Sequence, residues 1–168
     1  MKSYLPEVIY GLVLSFASLV WVSLEYFAGL HTTRIATHAS VTNFFAVIPI
    51  ALMWHALKHR RDVLEGGKIL WWQGLTSGMI ISVVAGILGA PTMWIFSKFI
   101  NPGFYQAMIE YSVQTGTKRE IAEANFNPTV YGMQATLGPI ILGFFTALIL
   151  TAIAKWQVER NDTPAQAS

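Results

Sequence analysis

The sequence contains no cysteine and carries little charge. With no cysteine among 168 residues, disulfides, thiolate metal ligands and a cysteine nucleophile are excluded, and nothing reports on the redox compartment. Asp, Glu, Lys and Arg make up 12% of the chain against 54% hydrophobic residues, and the mean hydropathy is +0.47. A water-soluble domain of this size rarely has that balance. The net charge is +2. The basic residues sit in short loops and tails and form no patch that tracks a phosphate backbone, so nucleic-acid binding has no support. Catalytic signatures are missing too: there is no GxSxG and no HExxH, and Gly66-Gly67-Lys68 lacks the frame of a phosphate-binding loop and reads as a turn.

What is present is long apolar runs. From Val8 to Leu30 there is no Lys or Arg, and the run matches the ~20 residues a helix needs to cross a ~30 Å hydrocarbon core. It is too long for the apolar region of a signal peptide and reads as an uncleaved first span. Three more runs follow. The reading is all-α: a polytopic membrane protein with four transmembrane helices at about 8–30, 41–57, 74–100 and 129–154, in a single domain over 1–156. A polar cytoplasmic tail over 157–168 completes the chain. Pro6 suits the first turn of the first helix, with Glu7 at the positive end of its dipole. Ser40 is a plausible N-cap for the second span, Pro49 a kink within it, and Trp71 and Trp72 fit an interfacial belt before the third.

Small and polar residues recur at spacings of three and four. They are Gly11, Ser15, Ser18, Val22, Glu25 and Gly29 in the first span, Gly74, Gly78, Ser82, Ala85, Gly89 and Thr92 in the third, and Gly132, Thr136, Pro139, Gly143 and Ala147 in the fourth. Such seams let helix backbones approach closely. They serve the bundle itself or, equally, a homo-oligomer or partner membrane protein.

The one long loop, 101–127, is predicted to be helical and extracytoplasmic. Asn101-Pro102 reads as a helix start, Gly116 as a stop, Thr117 to Glu120 as a capping box, and Asn127-Pro128 as the cap of the last span. Phe104, Met108 and Tyr111 share a face of the first short helix, turned to membrane or to bundle. Lys2, Lys58, Arg60, Arg61, Lys68, Lys155 and Arg160 gather on one side of the four spans, against Arg34, Lys98, Lys118 and Arg119 on the other. The positive-inside rule then puts both termini in the cytoplasm.

Several stretches carry a family likeness: Leu24 to His31 (LEYFAGLH), Val41 to Asn43, Gly66 to Ile69 with Gln73-Gly74 following, and above all 101–127. Together they resemble an uncharacterised bacterial membrane family, domain of unknown function 4199, along nearly the whole chain. The resemblance implies a four-span protein of the bacterial cytoplasmic (inner) membrane. It supplies no catalytic residues.

Glu25 is the carboxylate inside the first apolar run and the candidate catalytic residue. Charge at a helix centre costs ~2.5–3.5 kcal/mol on insertion scales, so such residues usually face the bundle interior. The expected topology collects Glu25, Tyr26, His31, Asn43, Lys98, Glu110 and Gln134 toward the outer face, with Arg34, His38 and Tyr131 nearby. Two histidines with a carboxylate have the chemistry of a zinc site. His31 and His38 are seven apart in a loop, however, without a metal-binding spacing, and read as loop histidines at a wet interface. No metal and no cofactor are expected. His55 and His59, next to Arg60 and Arg61, read as charge partners of a helix end. The favoured function is a non-enzymatic accessory subunit or a small transport or lipid-handling component, with membrane lipids as partners. The alternative is an enzyme on a lipid-linked substrate at the outer leaflet, with Glu25 as acid or base.

Overall fold

The structure, a computed structural model, describes residues 3–162. Lys2 and the last six residues of the expected tail lie outside the described residues. Four helices are long and apolar enough to cross a membrane: Leu5–Phe27, Ile35–Leu64, Trp71–Ile100 and Pro128–Arg160. No strand occurs among the described residues. The chain is a multi-pass membrane protein.

Each span differs from its expected limits for a local reason. Helix α1 (Leu5–Phe27) holds Pro6 in its first turn and ends three residues early. Gly29 adopts φ +80°, a conformation that Gly alone takes without penalty. The second span begins at Ile35, not 41, so Ser40 is helical and caps nothing. It joins α2 (Ile35–Thr42), a 3₁₀ turn (Asn43–Ala46), α3 (Val47–His59) and a wide π-type turn (Arg60–Leu64). No Gly interrupts that stretch before Gly66-Gly67, where both φ angles are positive. The tight turn at 43–46 ends three residues before Pro49, which has no N–H to return to Phe45. Helix α4 (Trp71–Ile95), extended by a second π-type turn (Phe96–Ile100), starts earlier than expected because Gln73 Oε1 accepts from the Leu70 N–H at 2.7 Å. Two short helices, α5 (Phe104–Gln114) and α6 (Arg119–Asn125), precede α7 (Pro128–Asp162). Helix α7 runs through residues expected to be tail, and no Gly or Pro occurs between Gly143 and its last described residue, Asp162.

Helix α4 is the centre of the bundle. Its glycines meet α7 in antiparallel register: Gly74 opposes Thr151, Gly78 opposes Ala147, Ser82 opposes Gly143, and Gly89 rests on the Ala135 carbonyl. On another face, a Cβ added at Gly11 of α1 would stand 2.6 Å from Val84 Cβ. The small-residue seams of α4 and α7 are therefore used within the chain. Leu14, Met53, Leu57, Ile81, Ala147 and Leu150 form the main core, while Phe16, Leu24, Ile87, Leu142 and Phe145 face outward. Apolar side chains outside and Glu7, Ser15, Ser77, Ser82 and Thr151 inside invert the pattern of a soluble protein, as lipid solvation requires.

The start of α1, the Gly66-Gly67 turn and the end of α7 share one end of the bundle, the terminal end. The α1–α2 turn, α5 and α6 share the other, the loop end. There Phe96, Phe104 and Met108 form a second buried cluster with Leu19, Val22, Tyr26 and Tyr131 around it. Helix α5 thus lays its apolar face on the bundle. The capping details of the loop need correction. Helix α5 starts at Phe104, behind Gly103, with no side-chain cap. Lys118, not Thr117, holds the cap position of α6, and no capping box closes. Asn127 does cap α7, its Oδ1 accepting from the Val130 N–H at 3.0 Å.

Candidate functional site at the loop end

Glu25 lies in the last turn of α1 and is buried among polar and aromatic groups. Trp21, one turn earlier, donates from Nε1 to Glu25 Oε1 at 2.7 Å. The other carboxylate oxygen faces two histidines: His31 Nε2 stands 3.6 Å from Glu25 Oε2, and His38 Nδ1 stands 4.0 Å from the same atom. Both separations exceed a hydrogen bond. Gly29 makes this arrangement possible. The Leu30 N–H reaches back to the Glu25 carbonyl at 2.9 Å, and the reversal tucks His31 under the helix end.

His31 corrects its expected role as a wet loop residue, because it is 0% exposed. Its ring lies nearly parallel to Tyr26 (centroids 6.3 Å, 21°), with Phe96 and Phe104 against it at 5.5 and 5.0 Å. Those two rings come from α4's extension and α5, far away in the chain. His38, on α2, is half-buried, 4.8 Å from His31 between ring centroids. Neither ring nitrogen of His31 has a hydrogen-bond partner, nor does His38 Nδ1.

The profile of a family described as a protein of unknown function, DUF4199, matches residues 9–155. The chain belongs to the DUF4199 family. No curated protein and no solved structure matches it.

Within this DUF4199 chain, the expected outer-face residues divide. Glu25, Tyr26 and His31 come together, with His38 beside them. Asn43 is exposed and donates to the Ala39 carbonyl at 2.9 Å. Gln134 is exposed on α7. Glu110 accepts from Arg119 Nη2 at 3.0 Å on both oxygens and from Gln106 at 2.8 Å, so it serves the loop and not Glu25. Tyr131 packs on Phe104, Tyr105 and Phe126. Lys98 is exposed at one wall of a lateral cleft of about 460 Å³, shared with Ala90, Met93, Trp94, Tyr105 and Gly132.

Sequence reasoning missed a polar network at the terminal end. Glu7, expected only to complement a helix dipole, is 1% exposed. It accepts from Arg60 Nε at 2.5 Å and from the Ser77 hydroxyl. Arg60 and Arg61, counted in the sequence only toward the positive side of the spans, are both buried. Arg61 donates to the Gln157 side chain at 3.0 Å, and Tyr10 meets His55 Nδ1 at 2.6 Å. Of the residues missed, Trp21 alone had a local signal, its four-residue spacing from Glu25 on one helix.

Proposed function

We propose that this chain is a non-enzymatic component of the bacterial inner membrane that holds an anionic lipid at its loop end, with both termini cytoplasmic. The observation that carries the reading is the lateral cleft. Its volume, about 460 Å³, falls in the ~300–1,000 Å³ range of small-molecule sites. Met93, Trp94 and Tyr105 give it apolar and aromatic walls suited to an acyl chain. Lys98 stands at its rim with no ion pair among the described residues. A free cation beside an apolar wall suits a phosphate headgroup. The alternative role, Glu25 as acid or base, draws less support, since Glu25 does not line the cleft and its carboxylate is turned toward Trp21, His31 and His38. A partner docked through the α4 and α7 glycines is disfavoured because those seams are already filled. The asymmetry of basic residues supports the orientation.

The test is native mass spectrometry of the purified chain offered phosphatidylglycerol and phosphatidylcholine in equal amounts. The expected result is preferential retention of phosphatidylglycerol, lost in Lys98→Ala and weakened for both lipids in Trp94→Ala. Equal retention of the two lipids by the wild-type chain sinks the proposal.

A further inference from the structure

We infer that Glu25, His31 and His38 form a binding site for a first-row divalent transition-metal ion, with zinc as the best-suited occupant. One ligand atom from each residue lies within 4.8 Å of the other two. In a tetrahedral site with ligand bonds of about 2.0–2.2 Å, neighbouring donors stand roughly 3.3–3.5 Å apart. The 3.6 and 4.0 Å separations from Glu25 Oε2 to His31 Nε2 and His38 Nδ1 are slightly wider than that. The two histidine donors lie within 4.8 Å of each other, so binding draws both imidazoles inward toward the ion.

The independent observation is the unmet bonding of the histidines. His31 is fully buried, yet neither of its ring nitrogens has a partner, and His38 Nδ1 is likewise buried and unpartnered. Buried polar atoms without partners are rare in native proteins and call for an explanation. A cation between the three donors supplies one for His31 Nε2 and His38 Nδ1, the two nitrogens that face the carboxylate: it takes a lone pair from each and from Glu25 Oε2. Two imidazoles and one carboxylate are a donor set for zinc, and three protein ligands leave a fourth position for water or another ligand.

The surroundings fit the same role. Trp21 Nε1 holds the distal carboxylate oxygen at 2.7 Å, the outer-sphere contact that orients a ligating carboxylate. Tyr26, Phe96 and Phe104 fix the His31 ring from three sides. The His38 side chain, 20% exposed, leaves a path for the ion. Bound there, the ion ties the end of α1 to the middle of α2 and to the turn between them. The site is separate from the Lys98 cleft and stands whether or not that cleft binds lipid.

The test uses the full-length chain in detergent, freed of any affinity tag and stripped with chelator. It is dialysed against zinc and measured by elemental analysis, with thermal denaturation in parallel. About one zinc per chain is expected, with a raised melting temperature on zinc addition. Cobalt in place of zinc should give visible absorption of a four-coordinate N/O site. Loss of an outer-sphere contact costs on the order of 10–100-fold in affinity, so removing a ligand in His38→Gln or Glu25→Gln is expected to weaken binding by about 100-fold or more. Both variants should abolish the zinc-dependent rise while keeping the melting temperature of the stripped protein. His59→Gln, at the other end of the bundle, should bind normally. Substoichiometric zinc in the folded wild-type chain overturns the proposal, as does undiminished binding in folded His38→Gln or loss of zinc in His59→Gln.

Discussion

Arg60 Nε donates to Glu7 Oε1 at 2.5 Å, joining the end of the second span to the start of the first across 53 residues of chain. The same guanidinium donates to Glu65 Oε1 at 3.2 Å and to the Ser3 carbonyl at 3.0 Å, and it lies 4.0 Å from the centroid of the Tyr4 ring. Ser77 brings α4 to the same carboxylate. Three of the four spans meet at one buried charge pair.

Such a pair is costly to break because the surviving partner is left buried and uncompensated, at about 3–5 kcal/mol. Arg60→Met is therefore expected to lower thermal stability in detergent strongly, and adding Glu7→Gln in the same chain should recover part of the loss. Arg119→Ala is the control. Its bridge to Glu110 is half-exposed at both ends and is worth at most about 1 kcal/mol. Similar losses from Arg60→Met and Arg119→Ala would show that the terminal network does not hold the spans.

The α4–α7 seam gives a position-specific prediction. A Cβ at Gly89 would collide with the Ala135 carbonyl, which is backbone and cannot swing aside, while a Cβ at Gly132 would meet only Ala90 Cβ at an ordinary 3.6 Å. Gly89→Ala is expected to cost roughly 1–3 kcal/mol through forced separation of the helices. Gly132→Ala should be neutral or slightly stabilising, since Ala is the better helix former. Melting curves of the two variants decide it, and a Gly89→Ala protein as stable as the wild type refutes the register.

How much of this was legible in the sequence depends on how local the cause is. The four spans follow from apolar runs that contain almost no charge, so their number and order could be read directly. Their ends were less legible. Gly66-Gly67 reads as a turn, yet the second span runs on to Leu64 beside it, where the charged residues from Lys58 onward suggest an earlier end. Gly29 reverses the chain before the polar residues Thr37 and Ser40 are reached. The glycine spacing announced close packing but not the partner: which helix Gly89 meets is decided by the antiparallel register with α7. At the candidate site Glu25 was legible as a carboxylate in an apolar helix. The burial of His31 was not, since Phe96 and Phe104 arrive from other spans, and for the same reason Glu7 gave no sign of Arg60.

Orientation is open to direct measurement, because a chain without cysteine accepts a single reporter. Thr115 lies exposed at the end of α5, well away from the packed faces. In intact cells Thr115→Cys is expected to react with a membrane-impermeant maleimide without permeabilisation of the inner membrane. Labelling only after that membrane is opened would falsify the proposed orientation.

The last prediction separates the shape of Glu25 from its charge. Glutamine keeps the length of the side chain, and its amide oxygen can still accept the Trp21 N–H now held at 2.7 Å. Leucine keeps the volume roughly but leaves that partly buried indole N–H without an acceptor, a loss toward the lower end of the ~1–3 kcal/mol that a buried donor costs, and it puts an apolar group among the His31 and His38 nitrogens. Glu25→Leu is thus expected to melt well below the wild type, whereas metal-free Glu25→Gln should melt close to it. Lipid retention adds a second readout. Glu25 stands outside the Lys98 cleft, so the glutamine variant should keep the wild-type preference for phosphatidylglycerol. A folded Glu25→Gln protein that loses lipid selectivity would instead mean that the carboxylate charge acts on the cleft, and the reading of the two sites as separate would fail.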